Sequence, residues 1–263
     1  MGVLNVTPDS FSDGTAFFES RRALEHAQRM IEEGAAIIDV GGESTRPGAN
    51  AVAEDEELRR VIPVITKLRA AGEKAWISID TSKAAVAAAA LDAGANIIND
   101  VTGGRGDEKM MALVRERGAG FIIMHMLGTP RTMQNDPHYD DVIAEVVEFF
   151  RQQYACALEC GIDPMAIAFD PGIGFGKTLK HNLELLANLP QLRIEDRPLV
   201  VGVSRKSSLG KLIGSVDLAD RIAPTIAFTA MLRERGAEVI RVHDVKPNLA
   251  ALRSAEALLE SAK

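Results

Sequence analysis

The apolar residues of this chain fall into two kinds of segment that alternate along its whole length. Short runs rich in Val and Ile, typical of buried strands, are each followed by a longer stretch with the 3.6-residue period of a helix. This alternation predicts repeated βα units on a parallel sheet. Eight strands are predicted, at residues 3–6, 36–40, 76–79, 95–98, 121–124, 166–169, 199–203 and 239–242.

A helical segment follows each predicted strand. Several of these segments stop at a glycine, among them Gly34, Gly94 and Gly161, because the left-handed position that ends a helix favours a residue without Cβ. The predicted helices cover about residues 20–33, 54–71, 82–93, 107–117, 139–160, 179–188, 217–235 and 247–262.

The number of units predicts the fold class. No composition shift and no Pro-, Gly- or Ser-rich linker divides residues 1–263, so we expect one α/β domain. Eight βα units in a domain of this length predict a closed (β/α)8 TIM barrel, with an open doubly wound sheet as the alternative. In such a barrel the residues just after the strands form one rim, and active sites lie there.

Composition limits the partners of the chain. The formal net charge of −7 leaves no basic excess to attract nucleic acid or an anionic membrane, so an anionic ligand needs a local basic site. No apolar run is long enough to cross a bilayer and no secretory signal pattern is present, so we expect a cytoplasmic protein. Cys156 and Cys160 lack the spacing of a zinc or redox motif and are predicted to be structural.

The residues that follow the predicted strands are unusually polar. An Asp or Asn at any one of these positions is most simply explained as a helix cap. Caps do not, however, require several cations on the same rim. The rim comprises Asn5, Asp39, Gly41–Gly48, Asp80, Asn99, Asp100, His125, Asp170, Ser204–Ser207, Arg241, His243 and Asp244.

One part of this rim has the chemistry of a heterocycle site. Asp80, Asn99 and Asp170 offer acceptors and one amide to a flat ring system rich in N–H groups, such as a purine or a pterin. Lys206 is placed to donate to a carbonyl or ring nitrogen of the same ligand. A lone histidine such as His125 is as readily structural as functional.

A second part of the rim suits a diphosphate. Arg241 and His243 alternate along the eighth strand, so their side chains point the same way, and the following helix adds its positive N-terminus. Asn5 is a candidate contact for a metal bound to that diphosphate, although a single amide is weak evidence for magnesium. The stretch "GIGFGKT" at residues 172–178 misses the glycine spacing of a phosphate-binding loop.

Eight motifs occur in order across essentially the whole chain. They are "MGVLNVTPDSFSDG", "GGESTRPGA", "SIDTSK", "INDVTGG", "IIMHMLGTPRTMQ", "DPGIGFGKT", "GVSRKS" and "RVHDV". Together these motifs resemble those of the bacterial dihydropteroate synthase family. This resemblance implies a TIM-barrel transferase of tetrahydrofolate biosynthesis, a sulfonamide target, that joins (7,8-dihydropterin-6-yl)methyl diphosphate to 4-aminobenzoate through a pterin methylene cation. It also implies a homodimer and bound Mg²⁺.

The resemblance also implies roles for individual residues. The catalytic set would be Asp80, Asp170, Lys206, Arg241 and His243. The pterin would contact Asp80, Asn99, Met124, Asp170 and Lys206. The diphosphate would contact Asn5, which also binds the metal, with Thr45, Arg46, Arg241 and His243. The 4-aminobenzoate would contact Phe11, Arg46, Pro47, Phe175, Ser204 and Lys206.

Some alternatives and expectations accompany this interpretation. A pterin-binding methyltransferase barrel and a non-catalytic binding protein for a folate intermediate are the rival functions. The loops at residues 7–17 and 41–50 are expected to close over the substrates and exclude water. Family members usually carry residues before the first strand, so the start at Met1 is expected to reflect a truncation or an alternative start.

Overall fold

Eight short, buried, parallel strands form the centre of the molecule. The computed structural model describes residues 1–7 and 16–262. Each strand is rich in Ile, Val or Phe, which favour extended backbone and pack well on a pleated surface. The strands are β1 (Gly2–Asn5), β2 (Ile37–Gly41), β3 (Trp76–Asp80), β4 (Ile97–Asp100), β5 (Gly120–Met124), β6 (Ile167–Asp170), β7 (Val200–Val201) and β8 (Val239–Ile240).

The strands close into a barrel. β1 to β6 form one six-stranded ladder in sequence order, and β7 pairs with β8. Single bridges join the two ladders, one between Phe169 and Leu199 and one between Gly2 and Val242. At the second bridge the amide of Val3 donates to the carbonyl oxygen of Val242 at 2.9 Å. The return from the eighth strand to the first confirms the (β/α)8 barrel and rules out the open sheet.

Helices surround the barrel and bury its outer face. Their inner sides pack on fully buried residues such as Ile38, Ile79 and Phe169, which places the main apolar core between strands and helices. None of the helices in the described part of the chain has the length and apolarity needed to cross a membrane. The helices are α1 (Ala16–Glu32), α2 (Glu54–Ala70), α3 (Ala84–Asp92), α4 (Met110–Arg117), α5 (Val142–Glu159), α6 (Leu179–Ala187), α7 (Ser207–Ile213), α8 (Ile222–Glu234) and α9 (Val245–Ser261).

The sequence pattern missed the short helix α7, which directly follows the "SRKS" motif. Gly214, with φ of 71°, ends α7 in the left-handed conformation. A 3-10 turn at Ala219–Arg221 then leads into α8, which begins at Ile222 instead of near residue 217. The extra helix places the residues after β7 at a helix N-terminus on the rim.

Strand register brings the polar strand ends together. Asp80 lies beside Gly41 of β2 and Asn99 of β4 in the parallel ladder, and Met124 lies beside Asp170. Because these pairs are at the carboxyl ends of their strands, their side chains gather at one mouth of the barrel.

Candidate active site

A buried pocket at the carboxyl ends of the strands collects the residues predicted to bind a heterocycle. All five predicted pterin contacts line it, and so do three residues predicted for the other subsites, Thr45, Phe175 and Arg241. Very little open space, about 10 Å³, remains between these side chains. The lining residues are Thr45, Asp80, Asn99, Val101, Met124, Asp170, Phe175, Gly202, Lys206 and Arg241.

Two buried carboxylates form the acceptor side of the pocket. Burial raises the pKa of Asp80 to about 7, and the nearby Asp39 adds to the effect while Arg241 opposes it. Burial also raises the pKa of Asp170, against the attraction of Lys206. The amide of Gly172 donates to Oδ1 of Asp170 at 2.7 Å, which fixes the direction of that carboxylate. Both carboxylates are buried, so a hydrogen bond or a positive charge beside them is strongly favoured.

Arg241 reaches into this pocket and binds two carboxylates. Its Nε donates to Oδ2 of Asp39 at 2.6 Å, and its Nη2 donates to Oδ2 of Asp80 at 2.7 Å. The amide nitrogen of Asn99 also donates to Oδ2 of Asp39, at 3.2 Å. Burial alone would lower the pKa of Arg241, but Asp39 and Asp80 raise it above its usual value. The sequence predicted Arg241 at the diphosphate, and in the structure its guanidinium lies among the residues predicted to contact the pterin.

Lys206 lies between the pocket and the aromatic ring of Phe175. Its ammonium group donates to the carbonyl oxygen of Ile173 and lies 5.0 Å from the centroid of the Phe175 ring. Burial of the ammonium group lowers the pKa of Lys206 to about 8, although Asp170 opposes the effect. Lys206 thus lies beside residues predicted for both organic substrates, and its contact with both stays a prediction.

His243 and Ser204 form a polar pair beside the pocket. The Oγ of Ser204 accepts the backbone N–H of His243 at 3.1 Å and lies 3.0 Å from Nδ1 of the same histidine. Burial lowers the pKa of His243 to about 4, and the charges of Arg241 and Arg205 lower it further. His243 is therefore neutral near pH 7 in this structure. It lines a neighbouring cavity of about 350 Å³ between α1, α8 and α9 instead of the pterin pocket.

Similarity to known proteins identifies the family. A profile described as pterin binding enzyme matches residues 1–243. The dihydropteroate synthase of Escherichia coli K12 is 46% identical over 261 residues, which cover 99% of this chain and 92% of that protein. That of Synechocystis is 45% identical over 98% of this chain and 89% of its own length.

The chain belongs to the dihydropteroate synthase family.

Solved structures of family members share its fold. The Yersinia pestis synthase, solved as a sulfonamide drug complex, superposes with a TM-score of 0.93 at 44% identity and covers 99% of this chain and 94% of its own. The Xanthomonas albilineans synthase with 4-aminobenzoic acid gives a TM-score of 0.92 at 44% identity, with 98% and 92% covered. The structure of the same enzyme with 7,8-dihydropteroate superposes with a TM-score of 0.88 at 40% identity. The match covers 98% of this chain and 92% of that one. The predicted TIM barrel and family are thereby confirmed.

The loop after β2 brings further predicted residues to the rim of this family member. Thr45 faces the pocket, whereas Arg46 and Pro47 are exposed. The amide of Gly48 donates to the carbonyl oxygen of Pro130 at 3.0 Å, which ties this loop to the loop after β5. Asn5 ends β1 and is half-buried, while Phe11 lies outside the described residues.

A buried ion cluster that the sequence interpretation missed supports the base of the same loop. The ammonium group of Lys83 binds Glu43 in the loop and lies 2.5 Å from Glu57, which is fully buried in α2. Arg60 donates to the carbonyl oxygen of Gly42 at 2.7 Å. The acidic run at the start of α2 was visible in the sequence, but the burial of Glu57 within it was not.

The buried side chains of Lys177 and His125 support the glycine-rich loop after β6. The Nζ of Lys177 lies 2.8 Å from Nδ1 of His125 and donates to the carbonyl oxygens of Phe175 at 3.0 Å and Gly172 at 3.2 Å. The His125 ring contacts Phe149 edge-on at 4.9 Å. Burial lowers the pKa of His125 strongly, so this histidine is a neutral structural residue. The sequence interpretation rejected a phosphate-binding loop here, and the lysine does point inward to protein carbonyls.

Proposed function

We propose that this chain catalyses the synthesis of 7,8-dihydropteroate and diphosphate from (7,8-dihydropterin-6-yl)methyl diphosphate and 4-aminobenzoate. The observation that carries this proposal is the enclosure of Asp80, Asn99, Asp170 and Lys206 in one buried pocket of a member of this family. A methyltransferase would bind no diphosphate. A non-catalytic binding protein would bind the pterin diphosphate without releasing diphosphate.

The pterin occupies the pocket and is held by its polar edge. Asp80 and Asp170 accept ring N–H groups, Asn99 adds an amide, and Met124 packs on the ring face. When the bond between the methylene carbon and the diphosphate oxygen breaks, the electron pair leaves with the oxygen and positive charge spreads over the pterin. The buried carboxylates stabilise that cation by the strong electrostatic interactions of a water-poor site.

The diphosphate lies above the pterin, where the chain offers cations and donors. Arg241, Arg46 and His243 surround the leaving oxygen, Thr45 donates its hydroxyl, and the N-terminus of α9 adds a positive end. His243 is neutral before binding, and a nearby dianion raises its pKa, so it donates hydrogen bonds more strongly as charge develops on the leaving group.

The 4-aminobenzoate enters last, between Lys206 and the loops. Its ring packs near Phe175, Phe11 and Pro47, and its carboxylate is recognised by Ser204 and Arg46. The neutral arylamine attacks the methylene carbon with its own lone pair, forming the carbon–nitrogen bond, and the nitrogen then releases a proton. No buried general base is required. Closure of the loop at residues 41–50 excludes water from the cation.

Magnesium fits the diphosphate end of this proposal. Among the described residues no group of three or more His, Cys, Asp and Glu could hold a metal by itself. Mg²⁺ commonly uses one or two protein oxygens together with substrate phosphates and water, and the half-buried Asn5 supplies one such oxygen. When bound, the ion neutralises charge on the leaving diphosphate.

Release of diphosphate tests the function. We expect release that requires the pterin diphosphate, 4-aminobenzoate and Mg²⁺ together, and that a sulfonamide inhibits in competition with 4-aminobenzoate. Release without the arylamine would indicate hydrolysis, and binding without release would indicate a carrier. Activity that persists in EDTA would refute the metal role of Asn5. Light scattering of the purified protein tests the proposed homodimer, and cell fractionation tests the proposed cytoplasmic location.

A further inference from the structure

The guanidinium of Arg241 lies where the heterocycle must bind. It contacts Asp80, a predicted pterin ligand, at 2.7 Å, and the side chain is only 19% exposed. The open space of about 10 Å³ in the pocket is close to the minimum for a single water molecule. Arg241 must therefore give up Oδ2 of Asp80 before a pterin can use that oxygen.

Arg241 and a pterin present the same chemistry to Asp80. A guanidinium and the amino-pyrimidinone edge of a pterin are both planar and carry adjacent N–H donors, which match the two oxygens of a carboxylate. The difference between them is charge, because the guanidinium is always a cation and the pterin edge is neutral.

Asp39 holds Arg241 in this position. It lies within β2, one layer below Asp80, and is fully buried. Its Oδ2 accepts from Arg241 at 2.6 Å and from Asn99 at 3.2 Å, while its Oδ1 has no hydrogen-bond partner among the described residues. When Arg241 leaves, Asp39 keeps only the neutral amide of Asn99, which makes the release of Arg241 unfavourable.

We propose that Asp39 and Arg241 are specificity-determining residues that make the pocket favour a pterin with a diphosphate over the same pterin without one. A neutral pterin alcohol must displace Arg241 and offers it no new partner. A diphosphate ester gives the displaced guanidinium a polyanion on the rim, which offsets the loss of the two carboxylates. This inference rests on the proposed function, and it adds a reason for Asp39 that substrate contact does not supply.

Calorimetry with two ligands tests the proposal. The ligands are 6-hydroxymethyl-7,8-dihydropterin and its diphosphate ester, titrated into the unchanged protein and the Arg241→Met variant. We expect the variant to bind the alcohol about tenfold more tightly than the unchanged protein does, and the ester about tenfold more weakly, each factor being near that of one hydrogen bond to a charged group. Unchanged or weaker alcohol binding in Arg241→Met would overturn the proposal.

Asp39→Asn separates the two effects because Arg241 remains available to the diphosphate. Compared with the unchanged protein, this variant should bind the alcohol about threefold more tightly and the ester with the same affinity. The ratio of ester affinity to alcohol affinity should therefore decrease. If Arg241→Met does not fold, the double variant Asp39→Asn/Arg241→Met, which removes both members of the buried pair, replaces it with the same expectation for the alcohol. Loss of affinity for both ligands in Asp39→Asn would mean that Asp39 only supports Asn99, and the proposal would fail.

The surface variant Arg117→Met serves as the control, since Arg117 pairs with the exposed Asp92; it should leave both affinities unchanged. If the unchanged protein binds neither ligand, the proposed function itself is wrong. If it binds both and the variants do not alter their ratio, only the specificity inference is wrong.

Discussion

Nζ of Lys177 lies 2.8 Å from Nδ1 of His125, and both side chains are buried beneath the glycine-rich loop that follows β6. A protonated lysine can donate to the unprotonated Nδ1 of a neutral imidazole, so this contact keeps the second proton off the histidine. Burial lowers the pKa of Lys177 to about 7, with Asp170 opposing the effect. The loop that carries Phe175 is thus attached to an amine that titrates near neutral pH.

The pKa of Lys177 predicts how stability depends on pH. Between about pH 7 and the ordinary lysine value of 10.5, the unfolded chain binds a proton that the folded chain does not. The free energy of unfolding, relative to that of Lys177→Met, should therefore rise with pH across this window by on the order of 5 kcal/mol. Below pH 7 the difference should be constant.

Urea unfolding of both proteins from pH 6 to 10 measures this difference. Lys180→Met is the matched control, since Lys180 is exposed three residues further along the chain. The difference in unfolding free energy between Lys180→Met and the unchanged protein should not vary in this way with pH. A flat curve for Lys177→Met would show that the buried lysine stays protonated throughout.

The surroundings of Gly172 and Gly214 predict that substitution by alanine lowers stability by different amounts at the two positions. Both have positive φ, 64° and 71°, which is unfavourable for alanine. A Cβ on Gly172 would lie 1.9 Å from the carbonyl oxygen of His125, whereas a Cβ on Gly214 would meet nothing within 4 Å. We expect Gly214→Ala to lower the free energy of unfolding by about 1 kcal/mol and Gly172→Ala by at least about 3 kcal/mol.

The same pair of glycine variants separates strain from active-site damage. Gly172→Ala should also lose synthase activity, because the loop holding Phe175 must shift, while Gly214→Ala should retain it. Urea unfolding and diphosphate release provide the two measurements. Equal losses of stability in the two variants would mean that the loop after β6 adjusts freely.

Asp80→Asn should weaken binding of the pterin diphosphate. An amide keeps the size of the side chain but removes the anion and replaces one acceptor with a donor, which we expect to cost about 2–3 kcal/mol, or roughly 30- to 150-fold in affinity. Calorimetry measures this loss. Asp92→Asn, at an exposed ion pair on the surface, should have no effect, and undiminished affinity in Asp80→Asn would remove Asp80 from the pterin site.

Lys206→Met should impair both substrates. Its ammonium group lies beside Asp170 in the pocket and over the Phe175 ring, so the variant should raise KM for each substrate and lower kcat, with a total loss of kcat/KM of about 100-fold or more. Lys211→Met is the exposed control in α7. An increase in only one KM would place Lys206 in a single subsite.

Regular periodicity explains why the sequence predicted much of the site. The end of a parallel strand is marked by a change from apolar to polar residues, and Asp80, Asn99 and Asp170 follow that rule because neighbouring strand ends must meet. The identity of the heterocycle came from the ordered motifs, since acceptors alone do not distinguish a pterin from a purine.

Long side chains and loop paths explain what the sequence did not predict. Strand alternation gave the face of Arg241 correctly, but it does not determine how far a flexible arginine reaches, and Asp39 draws the guanidinium down into the pocket. Lys177 sits at the end of an irregular loop whose course depends on successive glycines with positive φ. No periodicity specifies such a path.

The two isolated bridges that close the barrel lie at the boundaries between its two ladders. These boundaries also separate the acceptor residues of the site from its cationic residues. The acceptors Asp39, Asp80, Asn99 and Asp170 belong to the six-stranded ladder, whereas Lys206, Arg241 and His243 follow the strands of the two-stranded ladder. The ion pairs of Arg241 therefore cross a junction with few backbone hydrogen bonds. Amide hydrogen exchange should accordingly be faster in β7 and β8 than in β2 to β5. A bound substrate that contacts residues of both ladders should slow exchange in β7 and β8, because it links the two ladders.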